Sequence, residues 1–130
     1  MKYNVVKNIY KKTLGILGGG QLGKMIAVEA SRLGIKTCIF DPNKESPAFQ
    51  NANVVINEDF DNIKALSKFA KISNAITYEF ENIPLKSLQL LKNYCQIYPG
   101  IKVLKYSQDR YFEKKFISNL GISVAPFFKI

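Results

Sequence analysis

Three short segments of this chain carry residue types that could do chemistry. The first is the glycine turn Gly15-Ile16-Leu17-Gly18-Gly19-Gly20-Gln21-Leu22-Gly23-Lys24-Met25. Glycine lets the backbone come close to a ligand, and a helix N-terminus presents free N–H groups and a partial positive charge. A phosphate or carboxylate is the expected ligand of such a turn. Gly18-x-Gly20-x-x-Gly23 also satisfies the dinucleotide fingerprint, and Asp41 lies near the spacing of a ribose-binding acid. An NAD- or FAD-binding module of an oxidoreductase is therefore one reading. Glycines that only let a helix pack tightly on a sheet are another.

The second segment is Tyr78-Glu79-Phe80-Glu81-Asn82-Ile83-Pro84. With period-two alternation Glu79 and Glu81 point the same way and Phe80 the other. Two like charges on one side of a strand end are costly unless a cation, a polyol or an amine sits there. A solvated loop whose acids meet a helix dipole is the bland alternative. The third segment, Gln108-Asp109-Arg110 with Glu113-Lys114, reads by spacing as the first turn of a helix with ordinary charge pairs.

These segments need elements to hold them. Strand signals fall at Leu14 to Leu17, Ile35 to Phe40, Asn53 to Ile56, Ala75 to Tyr78 and Gln96 to Tyr98. Helical spacing falls between them. Leu22, Met25, Ile26, Ala30 and Leu33 form one apolar side, closed by Gly34. Phe60, Ile63, Leu66, Phe69 and Ala70 predict a helix from about Asp59 to Lys71. Pro84 opens a helix carrying Leu85, Leu88 and Leu91. The pattern predicts an α/β fold: a doubly wound, open parallel sheet with helices on both faces, binding its ligand outside the carboxyl ends of the strands. After Gly100 the character changes. Val103 to Gln108 leads into a helix with Ser107 as N-cap and a stripe of Phe112, Phe116, Ile117 and Leu120. Ile122 to Ile130 then reads as an apolar strand whose exposed edge would make the chain sticky.

The chain has 130 residues, enough for one modest domain, and 47% of them are apolar. Its net charge is +9, but the lysines are scattered. Lys64, Lys68 and Lys71 fit a solvated helix face, and no nucleic-acid module is present, so no nucleic-acid partner is expected. No apolar run reaches the length of a membrane span, so no membrane partner is expected either. Cys38 and Cys95 give no metal spacing and read as buried free thiols of a reducing compartment. Residues 1–12 are basic without a signal-peptide core and read as an N-terminal extension, so a cytoplasmic protein is expected.

The segments, in this order, resemble the N-terminal part of the N5-carboxyaminoimidazole ribonucleotide synthases, ATP-grasp ligases of purine biosynthesis. The resemblance rests on the glycine turn, Asp41-Pro42 with Ser46-Pro47-Ala48, Thr77-Tyr78-Glu79-Phe80-Glu81-Asn82-Ile83-Pro84, and Gln108-Asp109-Arg110 with Glu113-Lys114. Gly121-Ile122 and Ala125-Pro126-Phe127 complete it. It implies a Rossmann-like pre-ATP-grasp domain over residues 13–102 and the first elements of an ATP-grasp domain over 103–130. The implied reaction carboxylates 5-aminoimidazole ribonucleotide with bicarbonate, using ATP and Mg²⁺. By resemblance, Gly18, Gly20, Gln21 and Leu22 face the ribonucleotide 5′-phosphate, Glu79 and Glu81 its ribose and base, and Arg110 the adenine nucleotide. The family implies a homodimer. Its members run well past this length, and they carry their phosphate-gripping lysine and metal ligands further on. No catalytic or metal-binding residue is therefore expected in this chain, nor activity from it alone; a remnant that binds without catalysis is the remaining alternative.

Overall fold

A parallel ladder forms where short apolar runs recur with helices between them. The computed structural model describes residues 11–79 and 82–129. Five runs pair in it: β1 (Thr13–Leu17), β2 (Lys36–Phe40), β3 (Val54–Ile56), β4 (Ala75–Tyr78) and β5 (Gln96–Tyr98). Their order is β3-β2-β1-β4-β5, and every pair is parallel. Ile16 of β1 lies opposite Ile39 of β2 and Thr77 of β4, which makes β1 the central strand. The chain winds outward from β1 through β2 and β3, then crosses to β4 and β5. This is the α/β parallel sheet expected, and its strand order reverses between β1 and β4.

The helices are α1 (Gln21–Arg32), α2 (Ile63–Ile72), α3 (Leu85–Lys92), α4 (Ile101–Ser107) and α5 (Arg110–Asn119). Alternation along the strands divides their side chains between two cores. Leu17, Phe40, Ile76 and Ile97 meet Leu66 and Phe69 of α2, Leu88 and Leu91 of α3 and Leu104 of α4. On the opposite face Ile16 and Ile39 meet Ala27 of α1 and Ala48 of a 3-10 turn, Pro47–Asn51. Gly15 belongs to the first face. A Cβ there would collide with Ser73 Oγ and lie 2.7 Å from Phe69 Cζ, so the bare backbone lets α2 rest against β1.

Several sequence expectations are corrected. The side of α1 that meets the sheet is Gly23, Ala27 and Ala30, all buried. Leu22, Met25 and Leu33 are 56%, 63% and 65% exposed, so most of the expected apolar side faces outward. The small side chains win because they allow a closer approach: a Cβ on Gly23 would strike the Gly18 carbonyl oxygen. The second helix starts at Ile63 rather than Asp59, because the Asn62 side chain accepts the Ala65 N–H and caps it there. Phe60 sits ahead of it and stacks on Phe40 with ring centroids 5.8 Å apart. The segment after Pro99-Gly100 is itself helical, as α4. The cap of α5 is Asp109, which accepts the Tyr111 and Phe112 N–H groups; Ser107 instead donates to the Leu104 carbonyl. The α5 stripe is only partly covered: Phe116 stacks on Tyr106 of α4 with ring centroids 4.4 Å apart, but no residue of that helix is buried. Residues 122–129 pair with no strand, so the sticky edge expected there does not form. Lys64, Lys68 and Lys71 are exposed, as expected.

Candidate functional site

The chain must turn from β1 onto α1 within three residues. Gly18 makes that turn at φ 100, a region that side chains disfavour. Its N–H donates to the Phe40 carbonyl at 3.0 Å, which extends the β1–β2 ladder past the end of the strand. The Gly19 N–H donates to Asp41 Oδ2 at 2.6 Å, and the Asn43 N–H donates to Asp41 Oδ1 at 2.7 Å. The Ala48 N–H donates to the Gly19 carbonyl at 2.9 Å. The loop after β2 therefore clasps the turn through both polar groups of Gly19. A side chain on Gly19 has no room, since a Cβ would lie 2.7 Å from Ser46 Cβ.

Gly20 caps α1 in an extended conformation, without a side-chain cap bond. The first-turn N–H groups at Gln21 and Leu22 have no carbonyl one turn back to bond. Both residues are exposed. Across the switch point, Glu79 leaves β4 with its N–H on the Leu17 carbonyl at 3.4 Å. Its Oε1 would lie 2.9 Å from a Cβ on Gly20, so this carboxylate hangs over the turn.

Gly18, Gly20, Asp41, Ser46, Phe60 and Glu79 line a depression of about 310 Å³ at this point. Among the described residues no lysine or arginine lines it. An anion here must rely on backbone N–H groups and the helix end, whereas the two carboxylates favour hydroxyl or amine donors. A ligand carrying both features, such as a sugar phosphate, matches the two halves of the depression.

The structure thus brings Gly18, Gly20, Gln21, Leu22 and Glu79 to one end of the sheet. Glu81 lies outside the described residues, as do residues 1–10 of the expected N-terminal extension. Arg110 does not join the group. Its exposed guanidinium pairs with Glu113 Oε2 at 2.7 Å, and it lines a separate hollow of about 390 Å³ with Tyr111, Lys114 and Phe127. A larger hollow of about 520 Å³ between α4 and α5 is walled by Val103, Tyr106, Phe116 and Ile117 and lacks the turn's donors. Cys38 is buried, and burial pushes its thiol up to about 11 against the lowering effect of Lys68, which removes it as a nucleophile. Cys95 is half-buried rather than buried, and its thiol too is pushed up by burial. Among the described residues no three metal-ligating side chains cluster, and no helix is long and apolar enough to cross a membrane.

Sequence reasoning missed the clasp. Asp41 was read as a ribose acid, yet its two oxygens bond the Gly19 and Asn43 amides. The wall residue Phe60 was assigned to a helix. Ser46 stood in the resemblance without a role, and the signal that could have found it is its place between two prolines, which hold the loop against the turn.

Comparison with known proteins places this geometry. The model of the ribonucleotide synthetase preATP-grasp domain matches residues 11–108. An N5-carboxyaminoimidazole ribonucleotide synthase of Bacillus subtilis (strain 168) is 46% identical over 114 residues, which cover 88% of this chain and 30% of that protein. Among solved structures, the Staphylococcus aureus N5-carboxyaminoimidazole synthetase complexed with ADP superposes with a TM-score of 0.87 at 39% identity, over 92% of this chain and 32% of that one. The Aspergillus clavatus synthase in complex with ADP and 5-aminoimidazole ribonucleotide gives 0.79 at 28% identity, over 88% and 31%. The chain therefore spans about a third of the length of these relatives and matches their N-terminal portion.

Proposed function

The chain belongs to the ribonucleotide synthetase preATP-grasp family, and from that premise we propose that it is the ribonucleotide-holding part of an ATP-dependent carbon–nitrogen ligase of purine biosynthesis. Its substrate is 5-aminoimidazole ribonucleotide, which the whole ligase carboxylates with bicarbonate to the N5-carboxyamino product. The observation that carries this reading is the meeting, at the β1–β4 switch point, of an uncapped helix N-terminus with the Glu79 carboxylate. The N–H groups of Gly20 and Leu22, with Gln21, take the 5′-phosphate. Glu79 takes hydroxyl or amine donors of the ribose and base, and Glu81 follows it on the same segment.

ATP is the second ligand of the proposed ligase, with Arg110 as its contact in this chain. The described residues do not fit a Mg²⁺ site, since no three carboxylates converge, so no metal-dependent step is assigned to them. Binding, not turnover, is what is assigned to this chain. In the whole protein we place it in a cytoplasmic homodimer.

Calorimetry with 5-aminoimidazole ribonucleotide and with NADH tests the reading. The ribonucleotide should bind to the 130-residue chain and NADH should not. Tight NADH binding without ribonucleotide binding would turn the assignment over to a dinucleotide module.

A further inference from the structure

A glycine turn can serve one phosphate or two, and what decides is how many of its N–H groups are free. In this turn the Gly18 N–H is held by the Phe40 carbonyl and the Gly19 N–H by a side chain. Asp41 Oδ2 stands 2.6 Å from the Gly19 nitrogen, and the other oxygen is held by the Asn43 N–H at 2.7 Å. A carboxylate bonded to two backbone N–H groups is held firmly in place at the turn. The contact joins positions 22 residues apart, and the Ala48 N–H on the Gly19 carbonyl fixes the same residue from its other side.

We infer that Asp41 is a positioning and specificity residue of this turn: an internal anion that takes the Gly19 N–H, shuts out the diphosphate of a dinucleotide, and leaves the N–H groups from Gly20 to Leu22 for a single phosphate monoester. The inference rests on the ribonucleotide reading above and adds to it the residue that selects the ligand class. Two physical effects act together. A second phosphate brought to Gly19 meets a carboxylate already seated there, and like charges at hydrogen-bond range repel. With the Gly19 N–H on Asp41, the N–H groups left are those of the first turn of α1, which point along the helix axis, where the dipole favours an anion. The same acid that a dinucleotide fold turns toward the ribose diol is here turned onto the phosphate loop.

The test is an amide NMR titration of the full chain and of Asp41→Asn, with ribose 5-phosphate as monoester and ADP-ribose as diphosphate. In the wild type, ribose 5-phosphate should shift the Gly20, Gln21 and Leu22 amides and leave Gly19 in place. ADP-ribose should bind about tenfold more weakly. Asp41→Asn keeps an acceptor oxygen for the Gly19 N–H but removes the charge, so the gap between the ligands should close. The wild-type titration needs no variant and decides the first claim by itself: a Gly19 amide that moves with the monoester overturns the inference. Turn amides that respond alike in both proteins, with the ligand gap intact, also overturn it while leaving the ribonucleotide reading standing. Silence of every turn amide toward both ligands sinks the reading and the inference together.

Discussion

Gly20→Val is expected to weaken ribonucleotide binding strongly while leaving the fold in place. The Gly20 backbone, φ −67 and ψ −165, is one that a branched residue adopts. Among the described residues the obstacle to a Cβ within 3.4 Å is Glu79 Oε1 at 2.9 Å, the end of a flexible side chain. The protein can yield there cheaply. The ligand cannot: two methyl groups would stand where the phosphate approaches the α1 N–H groups, and Glu79 would be displaced from its place above the turn. Loss of a charge-assisted contact and of the Glu79 contact together corresponds to a fall of about a hundredfold, ~2.7 kcal/mol. Valine is also a poorer N-cap than glycine, at a cost of about 1 kcal/mol in stability. Calorimetry with 5-aminoimidazole ribonucleotide, next to circular dichroism, reads both quantities. Unchanged affinity in a folded variant would show that the turn only packs α1.

Gly15→Val, five residues earlier, should do the opposite and weaken the fold itself. Gly15 is buried in the central strand, beneath the C-terminal end of α2. A Cβ would meet Ser73 Oγ and Ser73 Cβ, and lie 2.7 Å from Phe69 Cζ. None of these can move away easily. The Ser73 hydroxyl donates to the Phe69 carbonyl at 2.8 Å, and Phe69 is fully buried, edge-on to Phe40 at 5.6 Å. Valine adds two further methyl groups to an occupied space, so α2 must lift from the sheet. Overpacking of this kind costs about 3 kcal/mol, a large part of the 5–15 kcal/mol or so that holds a typical domain. A urea titration should show the midpoint fall sharply. A midpoint equal to the wild type would mean that α2 does not depend on close approach at Gly15.

The sequence disclosed the strands because their signal is local. Ala75–Tyr78 and Gln96–Tyr98 lie where alternation and turn residues put them, and β2 and β3 are each one residue shorter than expected. Helix faces were harder to read. Leu22, Met25 and Leu33 look like a core stripe, but a helix that must lie close to a sheet presents its smallest residues, and only the packing reveals that Gly23, Ala27 and Ala30 do so here. Helix α4 escaped because seven residues after Pro-Gly carry too little periodicity to be told from a loop. The segment from Ile122 onward has strand composition, but a strand exists only in a ladder, and none of the described strands takes it in. In the site, the turn and Glu79 were legible because each ends a strand beside the switch point. The clasp of Asp41 on Gly19 was not, since a hydrogen bond across 22 residues leaves no local trace.

The sheet's two cores differ in what they bury. On one side α2 and α3 bring Leu66, Phe69, Leu88 and Leu91; on the other α1 brings Gly23, Ala27 and Ala30. Stabilisation follows the apolar area removed from water, so the α1 side is the thinly anchored half of the molecule. Among α1, α2 and α3, α1 is therefore expected to open first, with its amides exchanging ahead of those in β1 and β4. A ligand seated on the turn is then coupled to that opening. It holds shut a thinly anchored helix, and occupancy is felt as order along α1 before it is felt as global stability.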